Sequence, residues 1–218
     1  MSKLFRKLAA EFIGTGVFAA SIVGASVTGH LAENFGLVVA VTLGLMIVLF
    51  GGVSGGHFNP AVTTFFMVRK ELAAGTGLGY IAAQIAGAVT GAFIGGQLWG
   101  YNTWAVSNAN IANGQVSSEI LATAGLVLLI GTLAANKQGA WIAPVVTAWI
   151  FAAGSFTSSG AVANPAITIG RMFTSNKLVE IGVQQGGVFI LAQFAGVLVA
   201  LLGFMFITSP KAKKKSKK

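Results

Sequence analysis

Gly55-Gly56-His57-Phe58-Asn59-Pro60-Ala61-Val62 decides how this chain folds, because it returns in reduced form as Ala163-Asn164-Pro165-Ala166-Ile167, with the Asn 105 residues further on. Asn is a good N-cap, and Pro at the first helical position lacks only an N–H that would have been unsatisfied there anyway. Each copy therefore reads as the start of a helix. Both copies follow long apolar runs and so lie at membrane depth, where a break in the chain is tolerated only against protein or beside a water-filled cavity.

The composition leaves no other setting for them. With 55% hydrophobic and 9% charged residues over 218 positions and a mean hydropathy of +0.80, the chain needs a lipid bilayer as its partner. At roughly 20 apolar residues per spanning helix it has room for about six spans. There is no Cys, and all five acidic residues are Glu, which removes thiol chemistry, disulfides and most carboxylate metal sites. No metal or cofactor is expected. The net charge of +9 is concentrated in Lys211, Lys213, Lys214, Lys215, Lys217 and Lys218, directly after an apolar segment and Pro210. Such a run reads as a juxtamembrane tail touching anionic headgroups, and without interleaved aromatics it gives no sign of nucleic-acid binding.

Hydropathy places spans near residues 8–28, 36–53, 77–99, 117–135, 141–159 and 186–208. Two shorter pieces, near 59–68 and 164–173, begin at the Asn-Pro-Ala copies and are too short to cross. They are half-helices entering from loops. Lys3, Arg6 and Lys7 before the first apolar run resemble the start of a signal peptide, but Glu11 inside that run and its recurrence as Glu119 argue for a retained first span. Lys3, Arg6, Lys7, Arg69, Lys70, Lys137 and the six tail lysines fall on one side of a six-span arrangement, with only Arg171 and Lys177 on the other. By the positive-inside rule both termini are expected in the cytoplasm, with Trp99, Tyr101 and Trp104 in an outer aromatic belt. The spacing Gly87-x-x-x-Gly91-x-x-x-Gly95 reads as a close helix–helix contact.

The two halves repeat. Glu11 matches Glu119, Asn59 matches Asn164, and Tyr80-Ile-Ala-Ala-Gln84-Ile-Ala-Gly87 matches Phe189-Ile-Leu-Ala-Gln193-Phe-Ala-Gly196, at offsets of 108, 105 and 109 residues. Three spans per half is an odd number, so the second half must be inserted upside down relative to the first. The expected fold is an all-α membrane protein with six transmembrane helices and two half-helices in an inverted 3+3 repeat. Its single membrane domain, 1–218, divides into repeats 1–105 and 106–209 and a basic tail, 210–218. Facing half-helix N-termini at the midplane imply a pore or a binding site.

Ser54-Gly55-Gly56-His57-Phe58-Asn59-Pro60-Ala61-Val62-Thr63, the second Asn-Pro-Ala box and Ala10-Glu11-Phe12-Ile13-Gly14-Thr15 together resemble the aquaporin, or major intrinsic protein, family over essentially the whole chain. The resemblance implies a pore in each subunit of a homotetramer that passes small neutral permeants. It makes Asn59-Pro60-Ala61 and Asn164-Pro165-Ala166 the central constriction. Asn59 and Asn164 should cap the half-helices with their carbonyl oxygens and offer amide N–H groups to the lumen. Two half-helix dipoles of roughly half a charge each would oppose cations there. Glu11 and Glu119 resemble glutamates that brace the pore loops. Read from burial in the membrane alone, they are also candidates for a proton relay. Gln84 and Gln193 read as interhelical hydrogen-bonding residues. His57 reads as a loop-packing residue of the cytoplasmic vestibule, with gating by protonation as the alternative.

One departure from the family pattern bears on selectivity. Most members carry Arg three residues after the second box Asn, and here that position is Ile167. Carrying the remaining filter positions across gives Val39, Ala152 and Ala161, a ring of apolar and mostly small side chains. Such a ring is wider and gives little preference to water over bulkier, partly apolar solutes. Arg171 stands four residues beyond Ile167, on the same helix face and about 6 Å nearer the mouth. It either lines the outer vestibule or reaches for headgroups and the half-helix C-terminus. The run Asn-Pro-Ala-Ile-Thr-Ile-Gly-Arg resembles a bacterial subgroup lacking the filter Arg, some members of which are linked to arsenical metalloids. That implies a bacterial inner-membrane location and passage of metalloid hydroxides or small uncharged organics ahead of glycerol.

Two other readings use the same residues. A secondary transporter shares the inverted-repeat logic but needs charged or ion-coordinating groups at the midplane, for which only Glu11 and Glu119 are available. A strict water channel would need a narrower filter. An enzyme is not expected, since there is no metal-ligand cluster, nucleophile–base pair or phosphate-cradling loop in context.

Overall fold

The computed structural model describes residues 2–26, 34–100, 106–107, 109–174 and 176–208. The basic tail, Tyr101 and Trp104 lie outside them; Trp99, just past the end of a helix, is about half exposed. Eight α-helices follow in order: α1 (Lys3–Ala25), α2 (Phe35–Ser54), α3 (Pro60–Val68), α4 (Ala74–Gln97), α5 (Gln115–Ala135), α6 (Ile142–Phe156), α7 (Pro165–Arg171) and α8 (Val183–Thr208). A 3₁₀ turn, Gly139–Trp141, leads into α6. Six of these, with the turn counted into α6, are long and apolar enough to cross a membrane; α3 and α7 are not.

Local chemistry explains most of the boundaries. Ser2 accepts a hydrogen bond from Phe5 N, so α1 starts before the hydropathy signal does, its first turns carrying Lys3, Arg6 and Lys7. Lys and Arg are good helix formers, and an apolar run alone does not mark where a helix begins. α2 ends where Gly55, at φ +98°, takes the left-handed conformation. α6 ends at Phe156, three residues before the expected boundary, because Thr157 turns extended and returns its hydroxyl to Ala153 O.

The packing is twofold in pattern. α1 packs most extensively along α4, as α5 does along α8; α1 also lies against α2 and α5 against α6. Each half-helix packs against both halves, α3 touching α4 of its own half and α8 and α5 of the other, and α7 touching α8 of its own half and α4 and α1 of the other. Their tips meet each other, and α2 meets α6 across the middle. The glycine stripe of α4 sets the closest approach. A Cβ built on Gly87, Gly91 or Gly95 would run into the carbonyl oxygens of Phe12, Gly16 and Ala20 on α1. Two backbones in near contact exchange dispersion across a seam that no larger residue permits.

Candidate pore

Each half-helix begins at its box as the sequence requires. Asn59 accepts from Ala61 N at 2.8 Å, and Asn164 accepts from Ala166 N at 3.0 Å and Ile167 N at 3.3 Å; Pro follows in both as the first helical residue. The residue before each Asn is more unusual. Phe58, at φ +47°, and Ala163, at φ +46°, are left-handed without being glycine, a conformation that persists only when the surroundings hold it.

The surroundings do so from two directions. Phe58 N and His57 N donate to the Glu11 carboxylate, as Ala163 N and Val162 N donate to that of Glu119. The carbonyls then point the other way, toward the opposite box. Asn59 Nδ2 donates to Ala163 O and Asn164 Nδ2 donates to Phe58 O, each at 2.8 Å. One N–H of each side-chain amide is therefore committed to the other half of the molecule. The second N–H is the one that each Asn is expected to offer to the lumen.

Glu11 is saturated. It takes Ser54 Oγ at 2.6 Å and Gln84 Nε2 at 2.8 Å besides the two backbone groups. Glu119 takes Gln193 Nε2 at 2.6 Å. Gln84 and Gln193 also donate to Thr63 and Thr168, at 3.0 and 2.9 Å. These threonines have no role in the sequence reading, although both stand four residues after a box Asn at the same 105-residue offset, which is the signal that would have found them.

Two cavities lie along the facing surfaces of α2 and α6. The inner one, about 230 Å³, is walled by Leu43 and Ile47 of α2, Ile142 and Val146 of α6, the loop Gly55–Asn59, and Asn164. The outer one, about 300 Å³, is walled by Gly36 and Val39 of α2, Gly154 and Ser155 of α6, and Ala161, Ile167 and Arg171. A single water needs on the order of 10–15 Å³, so both have room for solutes larger than water. Phe18, Ile150 and Val162 belong to both walls. The residues advance three or four at a time along each helix, so the two spaces lie end to end along the same faces of α2 and α6.

The residues singled out in the sequence fall as follows. Asn59 and Asn164 reach the inner cavity, whereas Pro60, Ala61, Pro165 and Ala166 are buried behind them and line neither space. Val39, Ala161 and Ile167 line the outer cavity together. Ala152 does not: it is exposed, and α6 turns Ile150 and Gly154 inward instead. Two residues along a helix is about 200° of rotation, so a count two residues out of phase exchanges the pore face for the opposite face. Arg171 lines the outer cavity, and its Nε donates to Val179 O, tying the end of α7 to the segment before α8. His57 lines the inner cavity, its ring stacked on Phe66 at 5.0 Å and its Nδ1 3.1 Å from Thr63 Oγ1. Neither Glu11 nor Glu119 lines either space.

A bundle of six helices long and apolar enough to span a membrane, whose two half-helices meet tip to tip beside two adjoining cavities, is the architecture of a channel. A sequence model of the family described as major intrinsic protein matches residues 1–158, stopping just before the second box. The chain belongs to that family. It is 30% identical to the aquaglyceroporin AqpS of Rhizobium meliloti (strain 1021) over 95% of this chain and 92% of that one. It is 32% identical to an aquaglyceroporin of Toxoplasma gondii over 86% and 75% of the two. The crystal structure of the aquaglyceroporin from Plasmodium falciparum shares the fold, with a TM-score of 0.76 at 20% identity over 94% of this chain and 97% of that one.

Proposed function

We propose that this protein is a passive channel for water and small neutral solutes whose outer ring admits molecules larger than water, namely metalloid hydroxides and small uncharged organics ahead of glycerol. The observation that carries this reading is Ile167, which lines the outer cavity with Val39 and Ala161 where most of the family have a cation. An apolar ring does not replace the hydration contacts of water, so it does little to favour water over a bulkier solute. The relatives named as aquaglyceroporins support the glycerol end of this range.

Asn59 and Asn164 are the groups that a permeating hydroxyl meets at the centre, each with the amide N–H not used by the opposite loop. Glu11 and Glu119 hold those loops rather than relay protons, since their oxygens receive seven donors between them and face no cavity. The same commitment leaves a coupled transporter without midplane carboxylates for its ion. His57 packs in the inner vestibule and Arg171 lines the outer one, where its charge opposes cations. The assembly we propose is a homotetramer in a bacterial inner membrane, built of repeats 1–105 and 106–209, with both termini and the tail 210–218 on the cytoplasmic side.

Stopped-flow light scattering of proteoliposomes tests the function directly. Vesicles carrying the protein should pass water, glycerol and arsenous acid faster than empty vesicles. Fast water flux with exclusion of every larger neutral solute would overturn the wide-filter reading.

A further inference from the structure

We infer that the size limit of this channel is set by a collar of Phe18, Ile150 and Val162, beside the two asparagines, and not by the outer ring of Val39, Ala161 and Ile167. This rests on the channel reading above and adds the location of its threshold. The outer ring does not divide space. Val39, Ala161 and Ile167 all open onto one cavity of about 300 Å³ that continues past them, outward to Phe35 and Arg171 and inward to Phe18 and Ile150. The division comes further in. Phe18, Ile150 and Val162 are the residues that both cavities share, and beyond them the wall changes to that of the inner space.

These three come from different walls: α1, α6 and the loop leading into the second box. Each is nearly buried, at 4%, 8% and 7% exposure, and the outer ring is no more exposed, so it is their place on both walls and not their burial that sets these three apart. The collar is also held in place. Val162 N is fixed to Glu119 at 3.0 Å, and Phe18 continues the α1 face that carries Glu11 and Thr15, at spacings of four and three residues. Its side chains offer no hydrogen bond, so a solute crossing it gives up hydration contacts that the collar itself does not replace. Discrimination by shape in such a place is strong, because closely packed side chains do not move aside without strain. Phe18 is the bulkiest of the three and sets the limit.

The test is a series of polyols, glycerol, erythritol and xylitol, each measured against water in proteoliposomes of equal protein content. Phe18→Ala should raise the xylitol-to-water permeability ratio by at least about tenfold, the low end of what one methylene of fit changes in an apolar pocket. Ile150→Phe should lower the glycerol-to-water ratio by a similar factor. Truncating the outer ring with Ile167→Ala should change all the fluxes together and leave the size at which they fall where it was. The proposal is overturned if Ile167→Ala moves that size and the collar variants do not. Should Phe18→Ala fail to give a monodisperse protein, Ile150→Phe decides the matter by the same criterion. If the unaltered channel passes water alone, the wide-filter reading fails, yet admission of glycerol by Phe18→Ala still locates the threshold at the collar, and its continued exclusion overturns the collar too.

Discussion

Asn59 and Ala163, 104 residues apart in the chain, are joined by a 2.8 Å hydrogen bond from the Asn59 amide to the Ala163 carbonyl, with Asn164 and Phe58 bound in the same way. The carbonyl end of each Asn belongs to its own half-helix and the amide end belongs to the other. Capping and cross-linking are therefore separable. Asn59→Asp keeps a good cap, since Asp is as effective as Asn there. It also sets a carboxylate oxygen against Ala163 O. We expect neutral-solute flux to fall by about tenfold or more while the protein still folds, because an orphaned buried carbonyl costs about 1–3 kcal/mol. Retained flux with a lowered melting temperature would separate the bridge from the permeation path.

Glu11 and Glu119 differ in how much depends on them. Glu11 accepts four donors and Glu119 three, the difference being Ser54. Replacing either by Gln turns one accepting oxygen into a donor aimed at another donor. Each leaves at least one buried N–H unmet, at about 1–3 kcal/mol. Glu11→Gln should be the more destabilising of the two, by roughly a further 1 kcal/mol for the displaced Ser54 hydroxyl. Thermal unfolding in detergent, followed by fluorescence, gives the order.

What could be read from the sequence was whatever stood out against an apolar background. Glu11, Gln84, Asn59 and their counterparts are polar residues in runs that should have none, and their similar offsets of 108, 109 and 105 residues pair the halves before any contact is seen. The collar had no such contrast. Phe18, Ile150 and Val162 are apolar residues among apolar residues, and lipid on one side of a helix resembles a packed core on the other. Helix phase is hidden for the same reason, which is how Ala152 was counted onto the pore face in place of Ile150 and Gly154. Spacing alone could have corrected it: Ile142, Val146, Ile150 and Gly154 recur every four residues, and all four line the path. The left-handed Phe58 and Ala163 were hidden too, because neither is the glycine that usually marks such a turn.

The seam between α1 and α4 predicts a sharp contrast between two glycines of one helix. At Gly91 an added Cβ meets the Gly16 carbonyl, which is backbone and cannot swing aside, whereas at Gly75 it meets nothing within 4 Å. Gly91→Ala should cost about 1–3 kcal/mol by overpacking. Gly75→Ala should be neutral or stabilise by up to about 1 kcal/mol through helix propensity. Melting temperatures of the two purified variants check this, and equal values would mean that the helices can separate without penalty.

Restoring a cation to the outer ring provides the clearest test of why its absence matters. Ile167 sits in the first turn of α7, buried against the outer cavity, with Arg171 four residues later on the same face and about 6 Å further out. Ile167→Arg adds bulk to the ring and gives it hydrogen-bond donors that water can use and that a partly apolar solute cannot. It also stacks a second positive charge beneath the first. Glycerol flux should drop by about 10–200-fold, the range over which a misfit of one methylene discriminates, while water flux falls less. Ile167→Leu, which keeps the apolar character and volume, should leave the ratio of glycerol to water within about a factor of two, as volume-conserving exchanges are well tolerated. If Ile167→Arg lowers both fluxes equally, the added side chain is only an obstruction, and the missing cation is not what makes this ring permissive.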